Sequence, residues 1–283
     1  MRLMRTGLGL VAALGLGGVP AVAAEVETER MTWVEIRDAV AAGSTRIILP
    51  TGGTEQNGPH MVTGKHNFIV KETARRIAEK FGHTLVAPVL AYVPEGDTAK
   101  REGHTAYPGT ISVPPDVFRM VLESAAISFA SHGFKQIVLL GDSGPNQAPQ
   151  QTLALELSRR WAAEGVSVVH AASYYDAKGS VEFLKAGGET DATIGSHAAI
   201  RDTSELMAVY PDGVRLDQRV PDKDGVIGDP SRATAERGER LLALKIDGAI
   251  KDIVAASTPL RQDSEPDAKP DGLLHRLWRW VFG

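Results

Sequence analysis

The sequence predicts a three-layer α/β/α fold with a mostly parallel central sheet. Short apolar runs alternate with longer segments of helical periodicity along most of the 283 residues. The run 136–140 is apolar at every position after the first, which is typical of a strand that a parallel sheet buries on both faces. Strands that alternate with helices through short connections form a parallel sheet with helices on both sides.

Each predicted element follows from its own pattern. In the segment 67–81, Ile69, Ala74 and Ile77 recur near helical spacing, and Gly82 ends the helix. Gly133 ends a second long helix in the same way. The predicted helices span residues 32–42, 67–81, 115–132, 147–164, 205–209 and 236–255, and the predicted strands span residues 46–49, 84–89, 136–140 and 166–171.

The two ends of the chain differ from this central part. Residues 1–24 have a basic start, an apolar run and a small-residue cleavage site, which together predict a cleaved signal peptide and a periplasmic or secreted protein. A membrane anchor is the alternative, but the apolar run is short for a span. Residues 25–256 form the predicted domain, and residues 257–271 form a polar linker that contains prolines. Residues 272–283 form a basic, aromatic and amphipathic tail. It either packs on the domain or caps an oligomer contact, or it makes a weak membrane contact or binds a partner groove.

Composition excludes several classes of function. The chain has no cysteine, so disulfides, thiolate metal sites and cysteine nucleophiles are excluded. Its formal net charge is -4, and no basic block alternates with aromatic residues. We therefore expect no nucleic acid partner.

Polar residues cluster directly after the first predicted strand. Glu55, Asn57, His60 and His66 occur within twelve residues, in a loop that is rich in glycine and proline. Loops at the carboxyl ends of strands in open α/β sheets are where sites are usually built. We therefore expect the chemistry of the protein to lie here.

Three further segments have the same character. Asp142 and Ser143 follow the strand 136–140 and precede a helix, which they could instead cap. The segment lacks the lysine and the glycine spacing of a phosphate-binding P-loop. The other two segments span residues 103–112 and 196–204.

Together with residues 228–238, these segments resemble the motifs of the creatininase family of metal-dependent amidohydrolases. Residues 55–61 are similar to the family's Glu-Gln-His-Gly-Pro-His-Leu, and residues 107–112 to its Phe-Pro-Gly-Thr-Ile-Ser. Residues 141–146 are similar to its Asn-Gly-His-Gly-Gly-Asn loop, and residues 197–204 to its His-Ala-Gly-x-x-Glu-Thr-Ser. Residues 228–238 match its Gly-Asp-Pro-x-x-Ala-Thr-x-x-x-Gly. The order and spacing hold from about residue 32 to residue 255, which implies the family's fold.

The resemblance also implies a metal site with altered ligands. The family holds two divalent ions, and an aspartate bridges them. In this chain Glu55 is retained, whereas His66 stands at the position of the bridging aspartate and Asp202 at that of a glutamate. An imidazole cannot bridge two ions through one atom, so we expect one ion, most readily Zn²⁺, with Mn²⁺ or iron as alternatives. The expected metal ligands are Glu55, His66, Asp142 and Asp202.

The remaining site residues also follow from the resemblance. His197 stands at the family's proton-carrying histidine, so we expect it to act as the general acid or base. Tyr175 and Thr193 stand where creatininase carries tryptophans, which argues against creatinine as the substrate. A hydrogen bond to the backbone is an alternative role for His60, and capping of a helix is one for Asp202. The expected substrate contacts are Asn57, His60, His104, Ser143, Asn146 and Tyr175.

The sequence thus predicts an exported, metal-dependent hydrolase that cleaves a non-peptide or cyclic amide C–N bond of a small molecule. The alternative is a non-catalytic periplasmic binding or scaffold protein with a degenerate site. The family resemblance further implies a homo-oligomer, expected to be a hexamer.

Overall fold

Four short strands lie side by side in the order β2–β1–β3–β4 at the centre of the computed structural model, which describes residues 25–257. All three neighbouring pairs are parallel. The predicted signal peptide at 1–24 and residues 258–283 of the predicted linker and tail lie outside the described residues. The strands are β1 (Arg46–Thr51), β2 (Thr84–Val86), β3 (Gln136–Gly141) and β4 (Ser167–His170).

Helices cover both faces of this sheet, which confirms the predicted three-layer α/β/α fold. Side chains of β1 alternate between the faces, as the pleat of a strand requires. Ile47 and Leu49 pack with α3 and α4, whereas Ile48 packs with α2 and α8. The helices are α1 (Trp33–Ala41), α2 (Lys65–Phe81), α3 (Pro115–Ser131), α4 (Gln147–Arg160), α5 (Lys178–Ala186), α6 (Asp191–Ile194), α7 (Ile200–Val209) and α8 (Ala235–Ser257).

The predicted elements are all present, but some bounds differ. Helices α5 and α6 were not predicted, and α4 ends earlier than expected because residues 162–164 form a separate short 3₁₀ turn. Helix α7 begins at Ile200 and not at residue 205. The backbone N–H of Ala198 donates to Asp202 Oδ2 at 2.7 Å, and this hydrogen bond supports the early start of the helix.

A close approach of two helices sets the position of α8. A Cβ atom on Gly238 would lie 1.9 Å from the carbonyl oxygen of Ser204 in α7, so only glycine allows this contact. The contact brings α8 against α7. Within residues 25–257, none of the helices combines the length and the apolar character that crossing a membrane requires.

Candidate active site

A cavity of about 280 Å³ opens among the loops at the carboxyl ends of β1 and β3. Glu55 follows β1 and Asp142 follows β3, so the parallel sheet brings both carboxylates to one edge. His104, from the loop between β2 and α3, and His197, from the loop before α7, also line the cavity. Ligand sites of open α/β sheets occur at this edge.

His66 joins two of these loops from the first turn of α2. Its Nε2–H donates to Glu55 Oε1 and its Nδ1–H donates to Asp142 Oδ2, each at 2.8 Å. Burial and the charge of Lys65 lower the pKa of His66, but the hydrogen bonds to Asp142 and Glu55 outweigh them and raise it to about 9. His66 is therefore an imidazolium at neutral pH, with a proton on each ring nitrogen.

Lys245 brings a second buried cation from α8. Its Nζ donates to Asp142 Oδ1 at 2.5 Å and to Glu205 Oε2 at 3.0 Å. The hydroxyl of Tyr174 also donates to Asp142 Oδ1, at 2.9 Å. Burial raises the pKa of Asp142, but Lys245 and His66 outweigh it and bring this pKa to about 2. Both oxygens of Asp142 are thus occupied by donors of the chain itself.

Lys65 is the third buried cation, with only 1% of its surface exposed. Its Nζ lies 3.5 Å from Asp202 Oδ2 and 3.9 Å from Glu55 Oε1. Burial raises the pKa of Asp202, but Lys65 and Arg201 outweigh it and hold this pKa far below its usual range. Asp202 is therefore ionised. Its carboxylate pairs with Lys65 and accepts the hydrogen bond from the backbone N–H of Ala198 at the start of α7.

Glu95 is a buried carboxyl group that differs from these ionised acids. Burial and the nearby charge of Glu55 raise the pKa of Glu95 to about 8. Ser143, which lines the cavity, donates its hydroxyl to Glu95 Oε2 at 3.2 Å. The Glu95 carboxyl is protonated at neutral pH and adds no charge beside Glu55.

Glu55, His104 and His197 converge on one point of the cavity. Each offers one ligand atom, and these atoms all lie within 4.8 Å of one another. Glu55 Oε2 is 3.5 Å from His104 Nε2, and Glu55 Oε1 is 3.8 Å from His197 Nδ1. Within residues 25–257, these three side chains are the group of potential metal ligands that the structure brings together.

These three side chains are of the types that one divalent ion binds. Ligand atoms around a tetrahedral Zn²⁺ lie about 3.4 Å apart when each bond is about 2.1 Å long. The two distances from Glu55, 3.5 and 3.8 Å, are of this size but involve different oxygens of the carboxylate. His197 Nε2–H donates to the backbone carbonyl of Gln56 at 3.0 Å, which leaves the lone pair of Nδ1 free on the side of Glu55. A metal-binding histidine is usually held in this way. One carboxylate with two imidazoles suits Zn²⁺, Mn²⁺ or iron.

The structure brings most of the predicted site residues to this cavity and departs from the predicted ligand set. The ring of His66 lies between Glu55 and Asp142 with a proton on each nitrogen, so these residues form a hydrogen-bonded chain and do not converge on one point. His104, predicted as a substrate contact, stands among the converging donors instead. The predicted residues that line the cavity are Glu55, His66, His104, Asp142, Ser143, Tyr175, His197 and Asp202.

Three predicted substrate contacts do not line the cavity, and each has at most 1% of its surface exposed. Asn57 Nδ2 donates to the carbonyl of Glu55 at 2.9 Å, and Asn146 Nδ2 donates to that of Gly52 at 2.8 Å. The ring of His60 is hydrogen-bonded to the hydroxyl of Thr203 at 2.9 Å. Buried loops need partners for their backbone groups, and Asn57 and Asn146 supply them. The structure thus gives all three a supporting role in the loops.

Sequence reasoning missed the two lysines. Lys245 interrupts the apolar stripe that Leu241, Leu242 and Ile246 form on α8, and that interruption was a visible signal of a buried charge. Lys65 directly precedes a predicted ligand, but nothing in its spacing distinguished it from a solvated residue.

Comparisons with known proteins match most of this chain. The family model described as creatinine amidohydrolase matches residues 29–253. Creatinine amidohydrolase of Pseudomonas putida is 29% identical over 254 residues, which are 81% of this chain and 96% of that protein. A mycofactocin precursor peptide peptidase of Mycolicibacterium smegmatis is 26% identical over 228 residues, which are 71% of this chain and 81% of that protein.

Solved creatininase structures have the same fold. A manganese form superposes with a TM-score of 0.67 at 25% identity and covers 83% of this chain and all of its own. A glutamate-to-glutamine mutant of Zn-Zn type superposes with a TM-score of 0.65 at 26% identity, with the same coverage.

These findings define an amidohydrolase, an enzyme class that cleaves amide C–N bonds. More narrowly, the chain belongs to the creatininase family, since the family model spans residues 29–253 of it. This confirms the resemblance that the sequence motifs indicated.

Proposed function

We propose that this protein hydrolyses a non-peptide or cyclic amide C–N bond of a small substrate in the cavity described above. The observation that carries the proposal is the convergence of Glu55, His104 and His197 at the carboxyl edge of the sheet. A cavity of about 280 Å³ suits a small molecule better than a folded protein segment.

Glu55, His104 and His197 would hold one divalent ion, with Zn²⁺ as the first choice and Mn²⁺ or iron as alternatives. When bound, such an ion lowers the pKa of a water molecule towards neutrality and polarises the amide carbonyl. One ion is favoured over two because Asp142 and Asp202 are already hydrogen-bonded or paired within the chain.

The surrounding cations keep Glu55 in its ligand form. Burial raises the pKa of Glu55, but His66 and Lys65 outweigh it and hold this pKa well below its usual range. His66 also fixes the direction of the carboxylate, because its Nε2–H donates to Oε1. The carboxylate is thus ionised and oriented before any substrate or ion arrives.

In this arrangement His197 is a ligand, whereas the sequence predicted a proton carrier. Burial, with a contribution from Lys65, lowers the pKa of His197 to about 4, so its ring is neutral near pH 7 and the lone pair on Nδ1 is available. The same atom could accept a proton or bind an ion, and a single variant separates the two roles.

The test is the metal content and the amidase activity of the full chain, purified without a metal-affinity tag. We expect about one ion per chain, lost in His104→Ala and His197→Ala and kept in the exposed-site control His132→Ala. Retention of the ion by His197→Ala together with loss of activity would return His197 to the role of proton carrier. An absence of bound ion after incubation with Zn²⁺, Mn²⁺ or Fe²⁺, with no turnover of cyclic or linear amides, would leave the alternative of a binding protein.

We also propose that the protein acts outside the cytoplasm. The support is the signal-like composition of residues 1–24, which lie outside the described part of the chain. Protein recovered from a periplasmic extract should begin at or near Glu25, and recovery only from the cytoplasm with an intact start would contradict this.

A further inference from the structure

Gln56 contacts both histidines of the converging group. Its backbone carbonyl accepts a hydrogen bond from His197 Nε2 at 3.0 Å. Its side-chain Nε2 lies 3.0 Å from His104 Nδ1. A single residue, next to Glu55 in the chain, thus faces the outer nitrogen of each imidazole.

Two backbone groups fix the orientation of the Gln56 amide. The N–H of Gly58 donates to Gln56 Oε1 at 2.9 Å, and Gln56 Nε2 donates to the carbonyl of Gly225 at 3.2 Å. A backbone N–H can only donate and a carbonyl can only accept, so the amide cannot be turned over without losing both bonds. The group that faces His104 Nδ1 is therefore the NH₂, and His104 Nδ1 must accept.

The two imidazoles consequently present opposite groups to Glu55. His104 accepts at Nδ1, so its proton sits on Nε2, the atom 3.5 Å from Glu55 Oε2. His197 donates from Nε2, so it presents the bare Nδ1, 3.8 Å from Glu55 Oε1. One ring offers a hydrogen-bond donor to the cavity and the other offers a lone pair.

We propose that Gln56 is a positioning residue that holds His104 in the Nε2–H tautomer and thereby opposes ion binding by this histidine. A metal ligand needs a bare nitrogen, and its other ring N–H usually donates to a carbonyl or a carboxylate. For His104 Nε2 to bind an ion, its proton must move to Nδ1, where it meets the amide NH₂ of Gln56. The amide then has to turn over and give up its bonds to Gly58 and Gly225.

Replacement by glutamate reverses this effect. In Gln56→Glu, one carboxylate oxygen can still accept from Gly58 and the other accepts from His104 Nδ1–H, so Nε2 can release its proton to an arriving ion without the side chain turning over. Each lost or gained hydrogen bond of this kind changes a binding constant by up to about tenfold. The affinity part of this inference rests on the proposed function, whereas the tautomer part does not.

The first experiment is a long-range ¹H–¹⁵N correlation spectrum of the metal-free full chain at about pH 8, above the usual range of histidine pKa values. His104→Gln assigns the resonances of the ring. We expect His104 Nδ1 to be bare in the wild type and protonated in Gln56→Glu. A wild-type His104 with its proton on Nδ1 overturns the proposal. For this measurement, His104→Gln is the only variant that has to fold.

The second experiment measures Zn²⁺ affinity by competition with a chromophoric chelator. We expect Gln56→Glu to bind about tenfold to a hundredfold more tightly than the wild type, and Gln56→Met to show mixed His104 tautomers and an intermediate affinity. Gln147→Glu is the charge control, because Gln147 also faces a histidine ring, that of His170, but does not line the cavity. Equal gains in Gln147→Glu and Gln56→Glu, or no gain in Gln56→Glu, overturn the proposal.

These outcomes are distinct from a failure of the proposed function. If the wild type hydrolyses no amide but shows the expected tautomers and affinities, the proposed function fails and the inference stands. If amides are hydrolysed while His104 carries its proton on Nδ1, the inference fails and the proposed function stands.

Discussion

His66 neutralises two carboxylates that come from different loops, Glu55 after β1 and Asp142 after β3. Because all three groups are buried, loss of the imidazolium leaves two acids without a counter-ion on that side. A broken buried ion pair is costly because the remaining charge stays desolvated. His66 therefore matters for stability as well as for the orientation of Glu55.

We expect His66→Gln to lower the free energy of unfolding by about 3 to 5 kcal/mol. Urea unfolding followed by circular dichroism measures this, with the exposed-site variant His132→Gln as the matched control. A change of less than about 1 kcal/mol, similar to that of the control, would show that the two carboxylates do not depend on this cation.

The same residue predicts a pH dependence of stability. The folded-state pKa of His66 is about 9, above the ordinary value of 6.5, so its contribution is complete below about pH 6.5 and is lost as the pH rises through 9. The raised pKa of Glu95, about 8 and above its ordinary value of 4.5, acts in the same direction, because folding favours the protonated carboxyl.

We therefore expect the Tm to fall by several degrees between about pH 6.5 and pH 9. Differential scanning calorimetry across this range measures it. Glu95→Gln should reduce the slope, since an amide does not titrate, and His66→Gln should reduce it independently. A Tm that rises over this interval would contradict both assignments.

Some of the site residues could be recognised from the sequence, and others could not. Polarity after a strand indicated Glu55 and Asp142, and both line the cavity because parallel strands end at one edge. The same reasoning placed Asn57 and Asn146 against a substrate, but their amides bond the loop backbone. From residue type alone, a polar side chain that binds a ligand cannot be distinguished from one that supports a loop.

Among the helices, α2 has an unusual first turn. Its first turn has no acidic residue and contains two cations, Lys65 and His66, which the helix dipole disfavours. Carboxylates from outside the helix, Glu55, Asp142 and Asp202, offset this cost. The cations of α2 thus serve the site, and local helix propensity gives no reason for them.

Helix α8 contributes the remaining buried cation, Lys245. We expect Lys245→Met to destabilise the fold by about 3 to 5 kcal/mol, because Asp142 and Glu205 are left buried near one another. Chemical denaturation measures this loss, and the exposed Lys251→Met on the same helix is the control.

A second variant checks the cause. Adding Glu205→Gln to Lys245→Met removes one of the two stranded charges and should recover part of the lost stability. If the double variant is no more stable than the single one, loss of packing by the lysine stem explains the effect and not loss of charge.

A helix or strand was predicted accurately when its sequence pattern lay within its own segment. The periodicity of α2 and the apolar run of β3 are local, and both elements were found close to their true bounds. The first turn of α7 was missed because its start depends on Asp202 and Ala198 in the folded loop. The convergence of His104 with Glu55 was missed for a similar reason, since it requires the long connection between β2 and α3 to fold over the cavity.

In the molecule as a whole, an exposed apolar stripe on α3 is relevant to the association of copies of this chain. Val117, Met120 and Val121 lie at helical spacing, and 64% of Met120 is exposed. Contiguous exposed apolar surface often marks a contact between proteins. The predicted homo-oligomer, with a hexamer as the expected form, stays a prediction, and this stripe is a surface on which it can be tested.

We expect the full chain to elute as an oligomer in size-exclusion chromatography with light scattering, and Met120→Lys to shift it towards the monomer. Val254→Lys, which places the same charge at an exposed apolar position on α8, should leave the mass unchanged. A monomeric wild type, or equal dissociation by both variants, would argue against this interface.

The buried charges of the site are drawn from nearly the whole length of the described chain, from Glu55 to Lys245. During synthesis, α2 and the β-strands emerge long before Lys245 does, and until then Asp142 and Glu205 lack that counter-ion. An incomplete chain should therefore remain open at this edge, and the cavity should acquire its final form only after α8 docks. The site therefore gains its full set of counter-ions only when α8 has docked, so a chain truncated before α8 should hold neither substrate nor ion.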